Sequence, residues 1–523
     1  MRSFFIVAVL FASGLFTCAQ VRVGDVVLNE HFESADVLRL WQGDKNAQIQ
    51  LASGFQNSRA VQVTSTAGSP SNVMVRMAVP VDRIRGARVS CEAMVQAEGV
   101  TKPPQSWSGI KVMLHLTAPG GDQWLQQNNL SGSFDWRRVR FQAAVPADVT
   151  KAEVILGLEA VNGTAKFDDV KVSVIRAPRQ RIVTAPAAGP VFKGHDSPRL
   201  RGAMIQPDIT PESLRVLGKD WNANVIRWQL IQTSRVARNV TLTNYDQWLD
   251  GELRKLDAAL PLCAELGVRV VLDLHSPPGG APTAGGYVGS DSGLFTNKAA
   301  QAKFVQLWEK IARRYQTNAV IWAYDLVNEP VDDDIGDGCD DWQALATRAA
   351  QAVRAIDTRH AIMIEPAPWG GPEAIKNLDP IPVSNVVYSV HVYVPHQFTH
   401  QGVHGNPIGL SYPGMIKGKL WDKAELRRAL QPVIDFQRQN NVHIYIGEFS
   451  AIRWAPDDSA FRYLRDCIEL FEENQWDWSY HAFREWPGWS VEHGSDPNDN
   501  KPSKERTSRE SLMREWFGKN VKR

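Results

Sequence analysis

Residues 319–330, AVIWAYDLVNEP, contain the stretch that decides the fold. Their run of apolar and β-branched residues predicts a buried strand. Pro330 should end that strand, because proline cannot continue a sheet ladder. Asn328 and Glu329 would then lie at its carboxyl end. In a (β/α)8 barrel this end of every strand faces the active site, whereas in an ordinary sheet Glu329 would simply be a solvated glutamate.

The chain around this stretch alternates between strand-like and helix-like segments, a pattern that predicts a parallel sheet with crossover helices. We predict eight strands, at residues 200–204, 223–228, 268–275, 320–328, 361–365, 386–393, 442–448 and 478–486. We predict helices at residues 250–266, 299–315, 342–356, 423–439 and 459–474. Pro261 should kink or divide the first of these helices. Eight strands in about 320 residues indicate one (β/α)8 TIM barrel, at residues 199–520.

Length and charge narrow the class of protein further. The 523 residues are too many for one small core, so we expect two domains. Lys and Arg total 58 against 57 Asp and Glu. This balance argues against a nucleic-acid partner, which favours a concentrated basic face. The 18 tryptophans are many for this length and suit either a large core or stacking on sugar rings.

The first 19 residues carry one basic residue, an apolar run from Phe4 to Phe16, and small residues near Ala19. This pattern is typical of a secretory signal peptide, and the apolar run is too short to span a bilayer. We therefore expect a secreted protein, extracellular or periplasmic, with no membrane partner. The five cysteines include no C-x-x-C pair, which argues against a zinc site and leaves disulfide pairing open.

Residues 20–176 read as short alternating segments separated by turns, and we predict an all-β sandwich there. The segments at residues 28–33, 135–139 and 163–170 resemble pieces of the jelly-roll carbohydrate-binding modules of families 4 and 9. The resemblance implies a sugar-binding domain in which Trp107 and Trp124 are candidate stacking platforms, while Trp136 is expected in the core. Residues 177–198, rich in proline and small residues, are predicted to be a linker.

Polar or aromatic residues recur where the predicted barrel strands end, and a barrel with an ordinary rim would not show this convergence. The residues are Arg227, His275, Asn328, Glu329, His391, Tyr393, Glu448 and Trp486. In this order they resemble the signature of glycoside hydrolase family 5, the cellulase and β-mannanase family. The resemblance covers the second domain from end to end. It implies a glycoside hydrolase whose two carboxylates break a glycosidic bond with retention of configuration.

The resemblance also assigns roles. Glu448 would be the nucleophile and Glu329 the acid/base. Arg227 and Tyr393 would contact Glu448 and keep it ionised, and His391 would influence the proton of Glu329, whose pKa should be raised. For the substrate-binding residues, the resemblance places Asn328 on the sugar 2-hydroxyl, Trp486 beneath the reacting sugar, and His275 in a positioning role.

Three other polar or aromatic features have weaker interpretations. Glu365 ends a strand and is expected in a structural ion pair. The run from Asp332 to Asp334 is expected to be a solvated loop rather than a metal site. Trp369 and Trp489 are candidate outer sugar platforms.

The leading hypothesis is a secreted retaining endo-β-1,4-glucanase, a cellulase without cofactor or metal, which acts as a monomer on a polysaccharide or oligosaccharide. An endo-β-1,4-mannanase and an exo-β-glucosidase of the same family are the alternatives. A non-catalytic carbohydrate-binding protein is a hypothesis of another class, but such proteins commonly lose a carboxylate and both are present here. A metal-dependent barrel hydrolase using His275, His391 and a carboxylate is a further hypothesis, although the first strand lacks a His-x-His pair.

Overall fold

The computed structural model describes residues 21–43, 48–67, 72–119, 121–178, 189–232, 240–279, 293–332, 335–336 and 338–522. The predicted signal peptide and residues 179–188 of the predicted linker lie outside this part. The chain divides into two compact units, Met1–Arg181 and Ile182–Arg523. The domain boundaries given above remain predictions.

The first unit is built from antiparallel strands in two sheets, which confirms the prediction of an all-β region. One sheet has the order β3-β4-β11-β6-β9 with β1 beside β11, and the other has the order β2-β5-β10-β7-β8. The strands are β1 (Val26–Glu30), β2 (Gln42–Gly43), β3 (Ile49–Ser53), β4 (Arg59–Ser65), β5 (Asn72–Ala78), β6 (Arg88–Val100), β7 (Gly109–Ala118), β8 (Gly121–Gln126), β9 (Gly132–Ala144), β10 (Lys151–Glu159) and β11 (Gly163–Arg176). Residues from both sheets, among them Val61, Val95, Leu114 and Leu156, share one apolar core.

Trp136 departs from its expected place in this core. The pairing of β6 with β9 shifts register between Val95↔Arg137 and Ala97↔Phe134, so β9 bulges at Trp136. A bulge interrupts the alternation of side chains on which the expectation depended. The indole is partly exposed, with its ring 6.0 Å from that of Phe55.

The second unit contains a closed barrel of eight parallel strands, which confirms the predicted fold class. The strands are β12 (Arg201–Ile205), β13 (Val225–Gln229), β14 (Arg269–Asp273), β15 (Ile321–Asp325), β16 (Ala361–Ile364), β17 (Val386–Val392), β20 (His443–Phe449) and β21 (Asp477–Tyr480), and β12 pairs with β21 to close the ring. A short hairpin of β18 (Gly414–Ile416) and β19 (Lys419–Trp421) lies in the chain between β17 and β20. Every predicted strand overlaps one of the eight, because strands buried on both faces read as continuous apolar runs.

The last barrel strand is shorter than predicted. It ends at Tyr480, and residues 481–486 form a loop at the strand's carboxyl end. His481, not Trp486, is therefore the residue that directly follows the strand. The aromatic residues Phe483 and Trp486 resembled the continuation of a strand because aromatic side chains are also common in strands.

The helices of the second unit pack outside the barrel through apolar faces. They are α1 (Pro211–Arg215), α2 (Tyr245–Glu265), α3 (Lys298–Tyr315), α4 (Trp342–Arg354), α5 (His396–Thr399), α6 (Lys423–Asn440), α7 (Ser459–Glu473) and α8 (Ser508–Phe517). Several start at a side-chain cap, such as Asp341, whose carboxylate accepts the Ala344 N–H of α4. Within the described residues, no helix combines the length and apolarity needed to cross a bilayer.

The structure bears on two predictions about these helices and loops. Pro261 lies inside one continuous helix, α2, and does not divide it. The buried face of Leu253, Leu256 and Leu260 holds the helix on the barrel, and this packing outweighs the missing proline N–H. Asp332 is buried, and its carboxylate accepts the Trp342 N–H at 3.1 Å, so it is not part of a solvated loop. Asp333 and Asp334 lie outside the described residues.

A buried polar cluster connects several segments at the amino end of the barrel. Asp477 Oδ2 lies 2.7 Å from His195 Nε2 and 2.6 Å from His443 Nε2, and Asp477 Oδ1 accepts the Leu200 N–H at 2.8 Å. The two histidines outweigh the cost of burial and hold the pKa of Asp477 below its usual range. This cluster ties the segment before β12 to the first residues of β20 and β21, at the end of the barrel opposite the predicted site.

Candidate active site

The two glutamates singled out from the sequence meet at the carboxyl end of the barrel. Glu448 lies in β20, and Glu329 follows β15 by four residues. One carboxylate oxygen of each glutamate and one ring nitrogen of His391 all lie within 4.8 Å of one another. Strands four and seven of the ring thus bring together two carboxylates that are far apart in the sequence.

Glu448 is buried among groups that stabilise its charged form. Its Oε1 accepts a hydrogen bond from Arg227 Nη1 at 2.7 Å, and its Oε2 accepts one from the Tyr393 hydroxyl at 2.9 Å. Burial alone would raise the pKa of Glu448. The positive charges of His391, His481 and Arg227 outweigh it, so the pKa of Glu448 lies well below its usual value. Glu448 is therefore an ionised carboxylate over the whole neutral range.

Glu329 is held in a left-handed backbone conformation, with φ of 44°. For a non-glycine residue this conformation costs free energy, on the order of 1–2 kcal/mol. It is stabilised here by Glu365, whose Oε2 accepts the Glu329 N–H at 2.7 Å. The Glu329 side chain is only partly buried, and its Oε1 lies 2.8 Å from His391 Nδ1. The backbone thus holds the carboxyl group against His391 with part of the side chain exposed.

Beneath the two glutamates lies a tier of buried carboxylates around Arg227. One carboxyl oxygen of each lies close to Arg227 Nη2, at 3.1 Å for Asp273, 3.0 Å for Asp325 and 2.8 Å for Glu365. Glu365 is thus in the ion pair expected of it. Burial raises the pKa of Asp325 well above its usual value, and this outweighs the opposing effect of Arg227. The three carboxyl groups share this one guanidinium.

Sequence reasoning missed Asp273 and Asp325 as parts of this tier. A carboxylate inside a barrel is expected only where a cation is known to lie beside it. In the structure, Asp273 and Asp325 are the last residues of the neighbouring strands β14 and β15 and pair in register, a relation that the sequence alone does not give.

His275 and Asn328 also lie in this assembly. His275 Nδ1 is 2.8 Å from Asp273 Oδ2, so the ring is fixed by the last residue of its own strand. Asn328 Oδ1 accepts a hydrogen bond from Arg227 Nη2 at 3.1 Å. Both side chains are buried, and their predicted contacts with a sugar remain predictions.

The aromatic residues of the rim differ in their accessibility. Trp486 is 38% exposed, and its ring lies 6.1 Å from that of Trp454. Gly488 packs directly under the Trp486 indole, where a side chain would collide with the ring. Trp369 is likewise exposed. Trp489 is only 8% exposed and packs on Tyr393, so the structure does not support its assignment as an outer platform.

His481 is a second histidine beside Glu448, in addition to His391, and sequence reasoning missed it. Its Nδ1 lies 2.5 Å from the Tyr393 hydroxyl and 3.2 Å from Glu448 Oε2. Its Nε2 lies 3.5 Å from Glu485 Oε1. It was overlooked because the last strand was predicted to run on to Trp486, which left His481 inside the strand instead of at its end.

The geometry bears on the metal-dependent hypothesis. Within the described part of the chain, two groups of three side chains bring ligand-type atoms close together, His195–His443–Asp477 and Glu329–His391–Glu448. His275 belongs to neither. His391 lies between Glu329 and Glu365, and these carboxylates and Glu448 outweigh burial to raise its pKa well above the usual value. His275 and His391, the two histidines of that hypothesis, thus do not occur together in either group.

Comparison with known proteins places the second unit among glycoside hydrolases. Residues 190–485 match the family model described as cellulase (glycosyl hydrolase family 5). Endoglucanase C of Acetivibrio thermocellus is 29% identical over 259 residues, which cover 44% of this chain and 72% of the relative. Cellodextrinase A of Ruminococcus flavefaciens is 24% identical over 285 residues, which cover 53% of this chain and 81% of the relative.

Among solved structures, the crystal structure of a glycoside hydrolase superposes with a TM-score of 0.50 and 24% sequence identity. The superposition covers 62% of this chain and all of the other chain. At this identity the likeness shows a common fold, the eight-stranded barrel.

Proposed function

The chain belongs to the cellulase family, glycosyl hydrolase family 5, and from this premise we propose that it is a secreted endo-β-1,4-glucanase that cleaves β-linked glucan with retention of configuration. It is a glycoside hydrolase, and its substrate is a polysaccharide. The similarity to an endoglucanase favours β-1,4-glucan as that polysaccharide and cleavage at internal bonds.

One observation carries the proposal, the approach of Glu329 and Glu448 to within 4.8 Å at their nearest oxygens. Retaining glycosidases hold their two carboxyl groups about 5–5.5 Å apart, and inverting enzymes need about 6.5–9.5 Å for an intervening water. The short separation leaves no room for that water and suits direct attack on the sugar. It also favours a catalytic protein over a binding protein with an inactive barrel.

In the first step, Glu448 Oε attacks the anomeric carbon and the bond to the leaving oxygen breaks. Glu329 donates its proton to that oxygen, which leaves as an alcohol. Arg227 and Tyr393 keep the attacking carboxylate ionised and oriented through their two hydrogen bonds. The product is a glycosyl ester of Glu448.

In the second step, Glu329 is a carboxylate and takes a proton from water as the water attacks the same anomeric carbon. The ester bond breaks, and Glu448 leaves as a carboxylate. Two inversions give net retention. His391 touches Glu329 and lies 3.7 Å from Glu448 Oε2, so it is placed to respond to the charge of both groups.

Incubation with purified polysaccharides tests the substrate. We expect new reducing ends with carboxymethyl cellulose and mixed-linkage glucan, at higher rates than with mannan, xyloglucan or xylan. Rapid loss of viscosity would show internal cleavage, whereas release of glucose alone would support the exo-β-glucosidase alternative. Preference for mannan would contradict the glucanase assignment and support the mannanase.

For the first unit, we propose a jelly-roll carbohydrate-binding module at residues 20–176, joined through a linker at 177–198 to the catalytic domain at 199–520. Trp107 and Trp124 are 56% and 51% exposed, which is unusual for tryptophan. The Trp124 indole stacks on His115 with ring centroids 3.7 Å apart and an interplanar angle of 6°. Exposed, supported indoles of this kind suit stacking on sugar rings.

Buried polar groups hold the backbone at Trp107 in place. Lys111 is 1% exposed, and its ammonium group donates to the Trp107 carbonyl oxygen and, at 2.9 Å, to Gln126 Oε1. Glu159 Oε2 lies 2.5 Å from the same ammonium. This network fixes the backbone at Trp107, so the exposed indole starts from a rigid base.

Binding of the full chain to insoluble cellulose tests the module, with Glu448→Ala used to prevent digestion. We expect Trp107→Ala and Trp124→Ala together to release the protein into the supernatant. Trp136→Ala is the matched control and should remain bound. Equal retention of all three proteins would contradict the assignment of this face.

Export follows from the signal-like pattern of residues 1–19. Mass spectrometry of protein recovered from culture medium, with a mature amino terminus near Gln20, would support it. Protein that stays inside the cell with residues 1–19 intact would contradict it.

A further inference from the structure

His481 lies between two carboxylates at the carboxyl end of the barrel. Its backbone N–H donates to the Phe449 carbonyl oxygen at 3.0 Å, which fixes it beside β20. One ring nitrogen faces Glu448 and the Tyr393 hydroxyl, and the other faces Glu485 at 3.5 Å. Glu485 is itself held by Gln229, whose Nε2 donates to Glu485 Oε2 at 2.9 Å.

The hydrogen bonds fix the proton content of the His481 ring. Tyr393 has one hydroxyl proton, which it donates to Glu448 Oε2. In the 2.5 Å contact between the Tyr393 hydroxyl and His481 Nδ1, the histidine must therefore be the donor. Nε2 faces a carboxylate, which accepts hydrogen bonds only. Both ring nitrogens thus carry protons, and the ring is an imidazolium.

The same arrangement occurs on the other side of the site. His391 presents Nδ1 to Glu329 and has Glu365 at 3.1 Å from its Nε2. Each of the two candidate catalytic glutamates therefore faces the Nδ1 of a histidine whose Nε2 lies near a second carboxylate. Glu365 and Glu485 occupy equivalent positions in these two arrays.

We propose that His481, held by Glu485, is a positioning residue for the glycosidase reaction, a fixed cation that keeps Glu448 ionised and aimed at the anomeric carbon. This inference rests on the proposed role of Glu448 as nucleophile. It adds a positive charge to those of Arg227 and His391, on the carboxylate oxygen opposite the one that Arg227 contacts. The charge acts on the free enzyme and on the first step, since Glu448 becomes a neutral ester once the sugar is attached.

The charges around the array agree with this role. Glu448 and Glu485 outweigh burial and raise the pKa of His481 to about 10. The positive charge of His481 in turn outweighs burial and lowers the pKa of Glu485. The ionisable groups that face the array are Glu448, Tyr393, Glu485 and His400 around His481, with His391 and Arg227 around Glu448 and His275 near Glu485.

The pH profile of kcat/KM for 2,4-dinitrophenyl β-cellobioside tests the proposal. This leaving group needs no protonation, so the acidic limb reports the ionisation of Glu448 without the acid role of Glu329. We expect His481→Gln to move that limb upward by about one pH unit, because an opposite charge beside the carboxylate is lost. Glu485→Gln should instead move the alkaline limb downward, because His481 loses a carboxylate that holds its proton.

His31→Gln is the matched control, since His31 is an exposed histidine of the first unit, and its profile should equal that of the original protein. An acidic limb unmoved by His481→Gln in a folded protein would overturn the proposal. Absence of activity on every β-glucoside in the unaltered protein would instead contradict the proposed function.

Nuclear magnetic resonance of ¹⁵N-histidine-labelled full-length protein tests the proposal without turnover. The His481 signal is identified by its loss in His481→Gln. We expect both ring nitrogens to remain protonated at pH 8, and the titration to move to lower pH in Glu485→Gln. A His481 ring that titrates near the ordinary value of about 6.5 would overturn the proposal.

Discussion

At the scale of single residues, the site depends on close packing as much as on charge. Gly447 precedes Glu448, and a side chain there would lie 2.6 Å from Ser389 Oγ and 3.0 Å from His391 Nε2. His391 lies against both Glu329 and Glu365, so any displacement of its ring would disturb the proposed acid/base and the carboxylate that orients it.

Gly447→Ala should lower kcat/KM by about 10- to 100-fold, since displacement of a positioning group by a fraction of an ångström is costly in catalysis. The change is measured with soluble β-glucan at neutral pH. Gly371→Ala is the control, because a Cβ at Gly371 meets no atom within 4 Å. Equal activity of the two variants would contradict the packing argument.

Residue types at strand ends could be predicted from the sequence because charged and aromatic side chains stand out where a buried apolar run stops, and in a barrel these positions share one rim. Arg227, His391 and Glu448 were found in this way, and the structure brings them together. Asp273 and Asp325 could not be found in this way. Their carboxyl groups lie in the interior because the Arg227 guanidinium is within hydrogen-bond distance, and the sequence does not show that contact. His481 was hidden by an error in one strand boundary.

At the scale of elements, the barrel depends on contacts at its amino end that have no part in the chemistry. His195, from the segment before β12, and His443, from β20, both contact Asp477 of β21. Trp322 Nε1 donates to the Lys193 carbonyl oxygen at 2.8 Å and adds a further tie to that segment. These long-range contacts close the ring where β12 meets β21.

Asp477→Asn should destabilise the barrel by about 3 kcal/mol, because it leaves buried histidines without their charged partner. Because the folded pKa of Asp477 is depressed, its contribution is present above the unfolded value of about 3.9 and is lost as pH falls through the lower folded value. The difference between the two proteins in denaturant unfolding should therefore be constant from pH 5 to 7 and shrink below about pH 4.

Asp435→Asn, an exposed position of α6, is the control and should change stability by no more than about 0.5 kcal/mol. A stability difference for Asp477→Asn that did not depend on pH, or was as small as that of the control, would contradict this interpretation of the cluster.

The elements themselves were the most predictable part of the molecule. Seven barrel strands were located to within a few residues because their apolar runs are bounded by turns and polar residues. The eighth strand was predicted too long, because local aromatic content cannot show where a strand leaves its sheet. In the structure it ends at Tyr480. Pro261 illustrates the reverse case, in which packing of α2 on the barrel overrides a local helix-breaking preference.

At the scale of the whole molecule, two units of different class lie in one chain. The first carries the exposed Trp107 and Trp124, and the second carries the carboxylate pair. If the first unit binds polysaccharide, its effect on activity is one of local concentration, which matters for an insoluble substrate and not for a small soluble one.

Replacing Trp107 and Trp124 together by alanine should lower the rate on insoluble cellulose by about fivefold. The rate on 2,4-dinitrophenyl β-cellobioside should be unchanged, because that substrate reaches the barrel without help. Reducing-end and absorbance assays measure the two rates. A parallel loss on both substrates would show that the tryptophans support folding and not recognition.

The most direct test concerns Glu448 and Glu329 together. Glu448→Ala should abolish hydrolysis of 2,4-dinitrophenyl β-cellobioside, and added azide should restore turnover by occupying the space of the lost carboxylate, giving the inverted α-glycosyl azide by proton NMR. Glu329→Ala with azide should give the β-glycosyl azide, because the covalent intermediate still forms. Undiminished hydrolysis by Glu448→Ala, or a β-azide from it, would contradict attack by Glu448 on the sugar.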